Sequence, residues 1–195
     1  LGLNPTPVLY FANHNLKTDG AIQITGSHNP KNYNGFKLVL NNEPFFGKDI
    51  QDLGKRAEHG SDINMNGKIS VTNLDDKYLT KILAPLLKSK NLKNKKIIWD
   101  CGNGATGDLV NKIVKLIPCK NTVLYSKIDG NFPNHHPDPS DENNLTKLKE
   151  EIKRQRADFG FAFDGDGDRL GVISNNLELI PGDILTTFLA QSVTD

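Results

Sequence analysis

Three carboxylates stand out in this sequence. Asp164, Asp166 and Asp168 alternate with Gly165 and Gly167, and Arg169 follows. In an extended run, side chains at i, i+2 and i+4 project to one side. Anions so placed repel one another, and Arg169 is the one adjacent offset. A hard divalent cation, Mg²⁺ or Ca²⁺, removes the conflict because both take oxygen ligands. The glycines let the backbone turn tightly enough to converge the three side chains. The EF-hand calcium loop also opens Asp-x-Asp-x-Asp, but it needs glycine at its sixth position and glutamate at its twelfth. Here Arg169 and Asn175 stand in those places. A divalent-cation loop of another kind is therefore expected.

Three further groups of residues could carry chemistry. In Thr25-Gly26-Ser27-His28-Asn29-Pro30, Ser27 offers an accessible hydroxyl and His28 a phosphate-binding ring, with Lys37 further on. Alone, this is an ordinary Ser/Asn turn stopped by proline, and it lacks the Gly-x-Ser-x-Gly elbow of a hydrolase. Gly102 to Gly107 fits Gly-x-Gly-x-x-Gly, the form of a dinucleotide loop. The acid that should close the following strand is missing, since Tyr125-Ser126-Lys127 stands there and Asp129 falls beyond. A tight strand-to-helix turn is the better reading, and a nicotinamide-dependent oxidoreductase would rest on this loop alone. His135 and His136 lie between Pro133 and Pro137. No second cluster completes a tetrahedral metal site with them, so they are read as loop packing or interdomain contacts.

The elements that must position these loops alternate along the chain. Strands are expected over 21–25, 36–40, 97–99, 122–125, 159–163, 171–174 and 177–180. Helices are expected over 49–59, 74–88, 108–117 and 145–155, and from Pro181 onward, from apolar residues at helical spacing. Pro85 would bend the second helix or shorten it. The lysine-rich stretch Lys88 to Lys96 reads as a domain boundary. Alternation of this kind is α/β.

Composition excludes several classes. The chain has 195 residues, 36% of them hydrophobic and 24% charged, with a net charge of +1. No basic stripe marks a nucleic-acid binder, and no apolar run approaches the ~18 residues of a membrane span. Leu1 to Pro5 lacks the basic and apolar regions of a signal peptide. Cys101 and Cys119, without metal-ligand spacing, fit a reducing cytoplasm. The sequence opens at Leu1, carries Met65 as its single methionine and stops after a helical pattern; a piece of a longer protein is expected.

Taken together, Thr25 to Pro30, Tyr33-Asn34-Gly35-Phe36-Lys37, Asp100-Cys101-Gly102-Asn103-Gly104 and Asp164 to Arg169 resemble the α-D-phosphohexomutase superfamily, in that family's order. The segment Asp129 to Pro139 resembles its bacterial phosphomannomutase/phosphoglucomutase branch. The resemblance implies two mixed-sheet α/β domains: the C-terminal part of domain 1 at 1–90, domain 2 at 91–180, and the first helix of domain 3 at 181–195. It implies that Ser27 is a phosphoserine, holding one Mg²⁺ with Asp164, Asp166 and Asp168. Arg169 and His28 would bind phosphate, and Lys37 would bind substrate and transfer protons. Sugar phosphates would be the partners, with hexose 1,6-bisphosphate as intermediate and activator and the remaining domains of the parent enzyme around the same cleft. The sugar-recognition and C-terminal phosphate loops of the family are missing from this stretch, so it alone is expected to bind metal without turning over substrate. Phosphoglucosamine mutase, or a non-catalytic divalent-cation-binding relic, stands as the alternative.

Overall fold

The computed structural model describes residues 1–60, 66–87 and 92–194. Met65, and residues 88–91 of the expected boundary, lie outside them. Pro5 and Pro7 flank the start of α1 (Thr6–Leu16). Proline is tolerated there because first-turn N–H groups have no helical acceptor. This helix was not anticipated: Asn13, His14 and Asn15 are weak helix formers, and burial of Val8, Leu9 and Ala12 holds it instead. Strands β1 (Gly20–Ile24), β2 (Phe36–Leu40) and β3 (Glu43–Phe45) form an antiparallel sheet in that order. β3 was also missed. It is a three-residue edge strand containing Pro44, and proline is confined to such edges.

Two helices follow. α2 (Lys48–His59) buries no residue and ends at Gly60. α3 (Asp75–Leu87) keeps Pro85 inside its length rather than stopping there. The second sheet has the order β5 (Lys120–Leu124), β4 (Lys96–Asp100), β6 (Phe159–Phe163), β7 (Leu170–Ser174). Its first three strands are parallel and β7 returns antiparallel to β6. α4 (Gly107–Leu116) and α5 (Thr146–Gln155) are its crossovers, and α6 (Gly182–Thr194) follows. The expected α/β class is therefore present, with a mixed second sheet.

Successive residues of a strand face opposite sides, so Ile98 and Trp99 of β4 divide the core. Ile98 packs with Leu145, Leu148, Ile152, Ala162 and Ile173 beneath α5. Trp99 packs on the other face against a cluster of Val8, Leu79, Leu83, Leu109 and Ile117. That cluster joins α1, α3 and α4, so the first helix of the chain belongs to the core of the second sheet.

The strand expected over 177–180 does not form. Leu177 has φ +69°, in a turn closed by its amide donating to the Ser174 carbonyl at 3.0 Å. What remains is one bridge, Ile173 to Leu179. No helix among the described residues is long and apolar enough to cross a membrane.

Candidate functional site

The acidic loop is the connection of the β6–β7 hairpin, which Phe163 and Leu170 close as a facing pair. It is folded rather than extended as expected. The Gly167 amide donates to the Asp164 carbonyl at 3.1 Å, and the Arg169 amide donates to Asp164 Oδ1 at 3.0 Å. Gly167, at φ +74°, takes the left-handed conformation that glycine adopts without steric cost. Carboxylate oxygens of Asp164, Asp166 and Asp168 thereby come within 4.8 Å of one another.

The serine loop meets this turn backbone to backbone. The Thr25 amide donates to the Gly35 carbonyl at 3.0 Å, closing the neck of the loop. Inside it the Ser27 amide donates to Thr25 Oγ1 at 2.8 Å. Ser27 itself is left-handed, at φ +53°. Its hydroxyl donates to Asp164 Oδ2 at 2.8 Å across 137 residues of sequence. Any side chain at Gly165 would place its Cβ 2.2 Å from the Ser27 carbonyl oxygen. From the other side, the Ala105 amide donates to the Gly165 carbonyl at 2.9 Å. A Cβ at Gly104 would come within 2.7 Å of that same oxygen. The glycine loop thus braces the acidic loop, in keeping with its reading as a tight turn.

Lys37 reaches in from β2. Its Nζ lies 2.6 Å from Asp166 Oδ2 and 2.5 Å from Asp168 Oδ2. This differs from the picture in which Arg169 is the local offset. Arg169 is exposed, and the cation paired with the aspartates among the described residues is Lys37. His28 Nδ1 lies 3.4 Å from Ser27 Oγ, the outer edge of a hydrogen bond. One participant went unseen in the sequence. Thr6, fully buried at the start of α1, donates its hydroxyl to Asp166 Oδ2 at 2.7 Å, and its amide donates to the Asp166 carbonyl at 2.9 Å. A threonine between two prolines carries no signal of a carboxylate partner 160 positions away.

Charge is distributed unevenly. Burial pushes the Asp164 carboxyl above its ordinary range, against the Arg169 amide and Ser27 hydroxyl that stabilise its anion, and the neighbouring Asp166 and Asp168 add to the rise. Burial acts the same way on Asp166, but Lys37 and Thr6 outweigh it and hold that carboxyl low. Burial opposes the Lys37 charge too, and the hydrogen bonds and charges of Asp166 and Asp168 overcome it, so its pKa is raised.

Asp166 Oδ1 is buried with no hydrogen-bond partner. Leaving a buried charged acceptor unsatisfied costs more than the ~1–3 kcal/mol of a neutral one. Three carboxylates with only oxygen donors and one orphaned lone-pair set fit a hard divalent cation such as Mg²⁺.

His135 takes a structural place beside the site. Its Nε2 lies 3.1 Å from both carboxylate oxygens of the fully buried Asp100, and its Nδ1 lies 2.9 Å from the His136 carbonyl oxygen. Two acceptors favour the imidazolium, the form that carries two N–H groups. Burial resists that charge, but Asp100 prevails and the pKa is raised.

Comparison with known proteins places this geometry among relatives. The family model described as phosphoglucomutase/phosphomannomutase, alpha/beta/alpha domain II, matches residues 76–177, and the corresponding domain I model matches residues 1–62. The phosphomannomutase/phosphoglucomutase of Pseudomonas syringae pv. tomato is 39% identical over 193 residues, covering 99% of this chain and 41% of that protein. The phosphoglucomutase of Neisseria meningitidis serogroup B is 37% identical over 195 residues, covering 99% and 42%. A crystal structure of a phosphoglucomutase/phosphomannomutase family protein from Burkholderia thailandensis superimposes with a TM-score of 0.88 at 38% identity, covering 97% of this chain and 43% of that one. The chain thus spans less than half the length of these relatives.

Proposed function

We propose a function on the premise that this chain belongs to the phosphoglucomutase/phosphomannomutase family: within a protein of its relatives' full length, it carries the phosphoryl-transfer centre of a phosphohexomutase, with Ser27 as the carrier. The observation that carries this reading is the 2.8 Å hydrogen bond from Ser27 Oγ to Asp164. It sets a nucleophilic hydroxyl at the rim of a carboxylate cluster suited to a divalent cation.

A phosphoryl group on Ser27 adds about −1.5 to −2 charge at neutral pH. Phosphoryl transfer depends chiefly on positioning and on electrostatic stabilisation of the moving group. Mg²⁺ held by Asp164, Asp166, Asp168 and phosphorylated Ser27 would supply neutralisation of the phosphoryl oxygens. The residues do the rest. The hydrogen bond of Asp164 orients the Ser27 side chain. Lys37, kept an ammonium by Asp166 and Asp168, has a proton to give to Oγ when the phosphorus–Oγ bond breaks. His28, whose Nδ1 lies 3.4 Å from Ser27 Oγ, and Arg169 would bind the phosphate. The bond to Oγ is replaced by a bond from phosphorus to a hydroxyl oxygen of a hexose monophosphate, whose proton is released. The product is a hexose 1,6-bisphosphate. Returning its other phosphate to Ser27 completes the interconversion of hexose 1-phosphate and hexose 6-phosphate. Relatives named for mannose and glucose substrates, at 37–39% identity, favour those sugars over glucosamine.

The test is a chimera in which residues 1–195 replace the matching part of the Pseudomonas syringae relative. Intact-mass analysis after incubation with hexose 1,6-bisphosphate is expected to show one phosphoryl group, absent in Ser27→Ala. A folded chimera that stays unphosphorylated, or that keeps the group in Ser27→Ala, overturns the reading.

A further inference from the structure

The two oxygens of the Asp166 carboxylate have opposite surroundings. Oδ2 accepts from the Thr6 hydroxyl at 2.7 Å and from Lys37 Nζ at 2.6 Å. Oδ1 is buried and accepts no hydrogen bond of normal geometry, although the Thr25 hydroxyl also helps to stabilise the Asp166 anion. A carboxylate free to rotate about its Cβ–Cγ bond would exchange these positions, so something must pin it. Lys37 is a poor pin. Its ammonium sits on a flexible four-carbon stem and is shared with Asp168.

Thr6 has what a pin needs. It is fully buried, its β-branched side chain is stiff, and it grips Asp166 twice, by hydroxyl and by backbone amide. The first turn that carries it is anchored. Val8, two residues on, is fully buried in the cluster with Leu79, Leu83 and Leu109. A Cβ at Gly167 would come 3.3 Å from Pro5 Cβ, so the helix start lies directly under the acidic turn. We infer that Thr6 is a positioning residue for the cation site: by holding Oδ2 it fixes the orientation of the Asp166 carboxylate beside Asp164 and Asp168. It touches neither substrate nor cation.

The inference rests on the reading of Asp166 as a ligand, and the experiment separates the two. Mn²⁺ binding to the 195-residue chain is followed by electron paramagnetic resonance of free and bound metal, with Mg²⁺ as competitor. Wild type, Thr6→Val, Thr6→Ser and Asp166→Asn are compared. The expected result is that Asp166→Asn loses the site and Thr6→Val weakens Mn²⁺ binding roughly tenfold with a broadened bound-metal signal, the scale of lost outer-shell partners. Thr6→Ser, which keeps the hydroxyl, is expected to restore both. A merely structural role would move melting temperature without this hydroxyl-dependent pattern. If wild type binds no Mn²⁺, the ligand reading fails and the inference with it. If Asp166→Asn loses the metal while Thr6→Val binds it like wild type, the inference alone is overturned. Should Thr6→Val not fold, the same comparison is read from Thr6→Ala against Thr6→Ser, with equal affinities overturning the inference.

Discussion

Ser27 sits in a backbone conformation that costs an L-residue about 1–2 kcal/mol, at φ +53°. Glycine would avoid that cost, so retaining a side chain there marks the hydroxyl as the reason for the strain. Comparing Ser27→Gly with Ser27→Ala isolates it, because both remove the hydrogen bond to Asp164. The glycine variant is expected to be more stable than the alanine variant by about 1 kcal/mol in urea unfolding; equal midpoints would show that the turn is relaxed. His135 supports a second prediction. Its folded pKa is raised from 6.5, so its ion pair with Asp100 contributes fully below that value. The contribution is lost as pH rises through the folded pKa. The urea midpoint is expected to fall over that alkaline interval in wild type and to flatten in His135→Gln, with the imidazole resonances giving the pKa directly.

At the scale of elements, the site is three turns stacked through carbonyl oxygens. Gly165 is the closest point, with the Ser27 carbonyl where a methyl would go. Gly165→Ala must push the serine loop away from the acidic loop. The expected cost is about 1–3 kcal/mol, with Mn²⁺ affinity reduced because Asp164 loses its alignment; a chain that binds and melts like wild type would contradict this packing. Much of this was legible in the sequence. β2 and β6 have the expected bounds, since both are β-prone runs cut off by turn residues. The acidic loop declared itself because three adjacent carboxylates require an explanation in charge. The rest depended on tertiary context. α1 is held by burial, and Thr6 gains its meaning from a residue 160 positions away. Leu177 to Ile180 has strand-like composition but lacks the length for a ladder once Leu177 turns back.

For the whole molecule, the decisive feature is the cluster in which Val8, Leu79, Leu83 and Leu109 meet. Through it, the part of the chain that carries Ser27 and the part that carries the aspartates share one core. Leu79→Ala is expected to cost about 2–5 kcal/mol. Fluorescence of Trp99, which packs against that cluster and against Phe161, should shift its midpoint together with far-ultraviolet circular dichroism. Separate midpoints would mean that the two parts unfold independently. The separation of 137 residues between Ser27 and Asp164 also has a consequence in time. A ribosome adds about 5–20 residues per second, so the serine loop leaves it on the order of ten seconds before its carboxylate partner exists. During that interval Ser27 is an ordinary hydroxyl on a nascent chain, with neither cation ligands nor a brace beside it. On the proposed function, charging with phosphate would follow synthesis of the β6–β7 hairpin, and a translational pause ahead of that hairpin would prolong the uncharged state.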